Sequence, residues 1–264
     1  MKKYKGLIIF VLLLGVYGLV MYFIFNEKNT VADSKQKENK TVENKTSQND
    51  YYLVIGNSSF LKYQNNSFVN TSLNSIENVN LFKVFIDNKY FGNYKLKYGG
   101  DWNLFNDKEE YVNYEGNLLA ASSNLEFTVK NFSIREINDE DKIYLINNYN
   151  LNTFNYLTSN QVVDIDLDSN GQIDEIICLS SMEESESINN YYSLLIIKLN
   201  GKYHTLIDER GENSNYVYEI LSVVNFFNNM QDSIIVSRLE GYISENPKTT
   251  NLIVNYKNNN YTID

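Results

Sequence analysis

Asp164-Ile165-Asp166-Leu167-Asp168-Ser169-Asn170-Gly171-Gln172-Ile173-Asp174-Glu175 places five carboxylates in twelve residues and runs directly into the apolar stretch Ile176-Ile177-Cys178-Leu179. Counted from Asp166, side-chain oxygens fall at positions 1, 3, 5 and 9, on Asp166, Asp168, Asn170 and Asp174, with Gly171 at position 6. Alternating oxygens of this kind converge on a hard cation, glycine allows the sharp turn, and Gln172 offers its backbone carbonyl at position 7. The flanks Val162-Val163 and Ile176-Ile177 are β-branched, so the pattern predicts strand, acidic loop, strand. An EF-hand is excluded: it needs a helix on each side and a bidentate Glu at position 12, where this chain has Ile177. The competing reading is an acidic turn that closes without an ion.

Downstream, the same unit recurs. Asp174-Glu175-Ile176-Ile177-Cys178 lies 58 residues before Asp232-Ser233-Ile234-Ile235-Val236, Leu194-Leu195-Ile196 pairs with Leu252-Ile253-Val254, and Tyr203 with Tyr261. Each copy reads as loop, strand, variable segment, strand, hairpin turn, strand. The second copy's loop, Val224 to Asp232, keeps only Asp232 among its carboxylates, and no metal is expected there. Hairpins are also expected at Leu61 to Phe68, Ile86 to Tyr90, Leu199 to Tyr203 and Tyr256 to Tyr261, because Asn and Gly tolerate the positive φ of tight turns. One helix is predicted, Asp139 to Tyr149, capped by Asn138 and with Ile143, Leu145 and Ile146 as its apolar positions.

The acidic loop and the strand after it resemble the calcium loops of FG-GAP/VCBS-type repeats, Asp-x-Asp-x-Asp-Gly-x-x-Asp leading into a β-strand. Asp166, Asp168, Asn170, Gly171 and Asp174 carry the likeness, with Asn for Asp at the fifth position. The resemblance implies propeller blades, a structural calcium ion and a cell-surface setting. It marks Asp166, Asp168, Asn170, Gln172 and Asp174 as the expected metal ligands, with affinity on the order of 0.1 to 1 mM, as in extracellular modules.

Toward the N-terminus, residues 6–25 form twenty uncharged residues, GLIIFVLLLGVYGLVMYFIF. At about 1.5 Å per residue they span roughly 30 Å, a bilayer core. The run is longer than the apolar region of a cleavable signal peptide, so an uncleaved signal anchor is expected. Residues 1–5, with Lys2, Lys3 and Lys5, form a cytoplasmic tip and place the remainder outside. Residues 26–50 are Asn-, Lys-, Glu-, Thr- and Ser-rich and read as a disordered tether. Residues 51–160 then form a β-rich region, and 161–264 the two repeats.

The chain of 264 residues has net charge −10. Its first 50 residues hold 8 Lys against 5 acids and the rest 15 Lys or Arg against 28 acids, which excludes a nucleic-acid surface. A single Cys178 precludes an internal disulfide, and one His204 beside one Cys excludes the usual zinc sets. Cys178 reads as a buried thiol and His204 as structural. No spacing singles out a catalytic pair among the acids, so no catalytic residue is assigned. Trp102 is either strand core or a sugar-stacking ring.

These observations point to a mainly antiparallel β domain with one helix behind an N-terminal transmembrane helix. Its repeat units are expected to be propeller-like, with a β-sandwich as the alternative. The expected function is non-enzymatic: a membrane-anchored binding or adhesion module of the cell envelope, contacting polymer or protein and steadied by calcium. The alternatives are an envelope hydrolase using paired carboxylates and an accessory or sensor subunit of a membrane complex.

Overall fold

The computed structural model describes residues 50–57, 59–149, 151, 159–184, 189–211, 216–228, 231–241, 245–257 and 260–263. The expected membrane span at 6–25 lies outside them, as does the expected tether at 26–50 except for its last residue, Asp50. Among the described residues no helix is long and apolar enough to cross a membrane.

Among the described residues the chain is mainly antiparallel β, arranged in three sheets with one α-helix. An N-terminal sheet of eight strands uses β1 (Tyr52–Ile55), β2 (Ser59–Gln64), β3 (Ser67–Asn70), β4 (Phe82–Ile86), β5 (Lys89–Tyr98), β6 (Trp102–Phe105), β7 (Tyr111–Val112) and β8 (Leu118–Ser122), in the order β3-β2-β1-β8-β4-β5-β6-β7. Next come β9 (Phe127–Lys130), β10 (Ile134–Arg135) and the helix α1 (Asp139–Tyr149). The first repeat supplies β11 (Ser159–Ile165), β12 (Asp174–Glu184), β13 (Asn189–Leu199) and β14 (Lys202–Arg210). The second supplies β15 (Tyr216–Phe226), β16 (Ser233–Glu240), β17 (Lys248–Lys257) and β18 (Asn260–Ile263).

Each repeat is a four-stranded meander, and each gains a fifth strand from the short β9–β10 region. The first-repeat sheet runs β10-β11-β12-β13-β14 and the second β18-β17-β16-β15-β9. The 58-residue offset aligns β12 with β16, β13 with β17 and β14 with β18. The leading strands differ: Asp164 pairs with Glu175, whereas Val224 pairs with Ser233, leaving ten residues (165–174) between the partners in one case and eight (225–232) in the other. The second loop is therefore two residues shorter.

Unbroken apolar runs in the repeats follow from burial of both sheet faces. In the first repeat, Val163, Ile176, Cys178, Leu195 and Ile197 face the second-repeat sheet, where they meet Tyr218, Ile220, Val223, Ile234, Val236 and Val254. Their alternates Val162, Ile177, Leu179, Leu194 and Ile196 pack under Ile137, Leu145 and Leu151, covered by α1. The second-repeat sheet lies in the middle, its other face carrying Val224, Phe226, Ile235 and Ile253 against Leu53, Ile55, Phe85 and Leu119 of the N-terminal sheet. A bulge between Ile220 and Ser222 shifts the phase of β15, so that Ile220 and Val223 share one face and Val224 and Phe226 the other. The far face of the N-terminal sheet buries Tyr52, Phe82, Val84, Trp102 and Leu104. The described strands close into neither a barrel nor a propeller.

The expected helix forms over Asp139–Tyr149, and Asn138 Oδ1 accepts the Asp141 N–H at 2.9 Å, the capping contact foreseen. Its inward residues differ from the expectation. Leu145 is buried, but Ile143 and Ile146 are 60% and 46% exposed, and the inward place one turn before Leu145 belongs to the fully buried Asp141. The turns Asn65-Asn66, Asp87-Asn88 and Asn200-Gly201 all have positive φ, as the hairpin reading requires.

Candidate metal centre

The acidic loop joins β11 to β12. Ile165 and Leu167 point into the core, so strand alternation turns the intervening Asp166 and then Asp168 outward. Ser169 (φ 58°) and Gly171 (φ 85°) reverse the chain in the left-handed region, and Asp174 closes the loop as the first residue of β12, 1% exposed.

Backbone amides hold the carboxylates in place. Asp166 accepts the Asn170 N–H at 3.1 Å and the Gly171 N–H at 2.9 Å, and the Gly171 bond above all keeps its carboxyl below the ordinary range. Asp174 accepts the Leu167 N–H at 3.0 Å and the Asn200 N–H at 2.8 Å. Burial, aided by the charges of Asp168 and Asp166, nevertheless raises its carboxyl. Asp168 accepts the Asn170 N–H at 3.2 Å and the side-chain amides of Asn170 and Asn200, each at 3.0 Å. One oxygen from each of Asp166, Asp168 and Asp174 lies within 4.8 Å of the other two. Oxygens bound to a common ion at 2.3–2.6 Å lie at most about 5 Å apart, so this arrangement suits a hard divalent cation.

Three of the five expected ligands are thus brought together. Asn170 reaches them through its amide nitrogen, while its Oδ1 accepts the Gln172 N–H at 2.7 Å; Gln172 itself is exposed. Asn200 was missed by the sequence reading. It sits at the β13–β14 turn, donates its backbone N–H to Asp174, and exchanges side-chain hydrogen bonds with Asp168 and, at 2.6 Å, Asn170. Its only sequence signal is the Asn-Gly turn, which explains the hairpin and not the contact.

The second repeat's loop abuts the first. Asp232, 1% exposed, donates its backbone N–H to the Leu167 carbonyl at 3.0 Å, and its carboxylate accepts the Asn225 amide at 2.9 Å. Lys130, on β9, donates to the Asp166 carbonyl at 2.8 Å and forms an ion pair with Asp232. Tyr261 is 2% exposed, and its hydroxyl has no hydrogen-bond partner among the described residues. Burial, with the carboxylates of Asp232, Asp174 and Asp168, pushes that hydroxyl's pKa up.

Asp164 and Glu175 belong elsewhere. Arg135 clamps Asp164 through two bonds of 2.8 and 2.9 Å and reaches Glu175 at 3.4 Å. Lys198 pairs with Asp141 at 3.0 Å and Glu175 at 3.2 Å, and the Tyr203 hydroxyl donates to Asp141 at 2.7 Å. Glu175 is raised by burial and by the neighbouring Asp141 charge; burial also acts on Asp141, but Tyr203 and Lys198 outweigh it and hold it low. This facing pair of acids, Asp141 on α1 and Glu175 on β12, shares Lys198 and pins the helix to the sheet. Cys178 is wholly buried and burial raises its thiol. Trp102 is 2% exposed, so it is strand core and not a stacking ring. An open cleft of about 410 Å³ lies elsewhere, lined by Tyr63 and Tyr256 together with Asn66, Gln231, Asn255 and Lys257.

No family model matches the chain, and neither does any curated protein or solved structure.

Proposed function

We propose that this chain is a membrane-anchored binding module of the cell envelope, with residues 6–25 as its anchor and a structural calcium ion at Asp166, Asp168 and Asp174. The observation that carries the reading is the convergence of those three carboxylates within 4.8 Å on a loop whose backbone amides already fix them. Clustered carboxylates repel, and a divalent ion turns that repulsion into attraction. At 100 times its dissociation constant the ion adds about 2.7 kcal/mol of stability. The FG-GAP/VCBS kinship is part of the proposal: an acidic loop opening directly into a central strand, on meander sheets stacked face to face, is consistent with blade-like units.

The binding role draws on the cleft beside Tyr63 and Tyr256, whose lining combines aromatic residues with Asn66, Gln231 and Asn255 and includes no carboxylate. That combination suits a hydroxyl-rich envelope polymer. The hydrolase reading is weaker, since the facing acids Asp141 and Glu175 are already paired with Lys198 where α1 meets the sheet. Thermal melts of the full chain in detergent micelles test the ion: calcium raises the midpoint of the wild type and leaves Asp168→Ala unchanged. Equal midpoints in calcium and chelator remove the site. Pull-down of envelope polymers by wild type and not by Tyr63→Ala/Tyr256→Ala tests the binding role separately.

A further inference from the structure

Asp174 and Asp232 are equivalent residues of the two repeats, each closing its loop ahead of a central strand and each 1% exposed. A carboxylate so buried costs several kcal/mol when it is charged and unpaired. The two are compensated differently. In the first repeat, no lysine or arginine among the described residues forms an ion pair with Asp166, Asp168 or Asp174. In the second, the loop is two residues shorter, the counterparts of Asp166 and Asp168 are absent, and Lys130 stands at the carboxylate.

We infer that Lys130 is the built-in cation of the second repeat. Its ammonium sits against Asp232 where, on the reading proposed above, a divalent ion sits against Asp174, so that the domain takes one ion and not two. Three observations carry this. Lys130 is held in position by β9, paired with Val223 at the edge of the second-repeat sheet. Its ammonium spans the two loops, from the Asp232 carboxylate to the Asp166 carbonyl at 2.8 Å. Tyr261, the second-repeat equivalent of Tyr203, buries a hydroxyl with no partner at this junction, whereas Tyr203 donates to Asp141. No hydrogen bond from Tyr261 therefore offsets the Asp232 charge, which is left, among the described residues, to Lys130 and the Asn225 amide. Lys130 thus serves both loops: it neutralises one and steadies the backbone of the other.

The test is a double-mutant cycle on the full chain in detergent micelles, read by thermal melts, together with calcium stoichiometry by titration calorimetry. Lys130→Met leaves Asp232 buried and unpaired and lowers the melting temperature by several degrees or more. Lys130→Met/Asp232→Asn removes both charges and recovers most of that loss, in calcium and in chelator alike. Asp232→Asn alone is milder than Lys130→Met, because Lys130 is 31% exposed and its freed ammonium can turn to water. The wild type binds one calcium ion. A double variant no more stable than Lys130→Met, or two ions bound by the wild type, overturns the inference. A wild type indifferent to calcium whose cycle still shows recovery sinks the ion and leaves the lysine's pairing with Asp232 intact.

Discussion

Two aspartates of one loop respond differently to truncation. Asp174 accepts two backbone N–H groups at a buried position, so Asp174→Ala strands both donors and costs about 2–3 kcal/mol in chelator, and more in calcium, where the ion's increment is lost as well. Asp168 lies nearer the surface, bonded to exposed neighbours. Asp168→Ala costs less than about 0.5 kcal/mol in chelator and abolishes the calcium increment. Denaturant titration in the two buffers separates these outcomes. Asp141 offers a pH test. With Tyr203 and Lys198 holding its carboxyl low, its contribution is complete above the unfolded value of about 3.9 and disappears as pH falls through the lower, folded value. Amide protection across α1 is expected to fall in that acid range, and Asp141→Asn to lose stability at neutral pH while flattening the acid dependence. Three of the five metal candidates were legible as chemistry because their spacing is local. Asn200, Lys130 and Tyr261 lie 26, 44 and 87 residues from Asp174 along the chain, and no local pattern marks them.

Helix α1 shows where local pattern is informative and where it stops. Its limits followed from Asn138 and three leading acids, and they are met. Its orientation did not, since Ile143 and Ile146 face outward while Asp141 faces in. The cause is the partner surface: Lys198 and Tyr203 on the neighbouring strands both bond Oδ1 of the buried Asp141, and that contact fixes the helix's rotation. Ile143→Lys/Ile146→Lys is therefore expected to leave the denaturation midpoint within about 0.5 kcal/mol of wild type, whereas Leu145→Ala costs about 2–4 kcal/mol. The tight turns were legible for a simpler reason. Asn65-Asn66, Asp87-Asn88 and Asn200-Gly201 take up positive φ, a property of the residues themselves.

Three stacked sheets make the second repeat the shared wall of two cores, with Ile234 and Val236 on one side and Ile235 and Ile253 on the other. The repeat was visible as a 58-residue offset, but the order of stacking was not, because apolar runs say that both faces are covered without saying by what. A shared wall couples its neighbours. Fluorescence of Trp102, in the N-terminal sheet, and far-ultraviolet dichroism of the whole chain are expected to report one transition with one midpoint. Two separated midpoints contradict that coupling.

Strand β9 lies at the edge of a sheet whose next strand is translated far later: Lys130 pairs with Val223, 93 residues on. A ribosome that has delivered β9 has yet to make β15, so Phe127 and Val129 meet the earlier N-terminal sheet but wait without their strand partner. Assembly of the central layer is then a late event, governed by closure of a long loop. The nascent chain, before β15 to β18 are made, is the state most open to proteases and to pairing with the wrong strand.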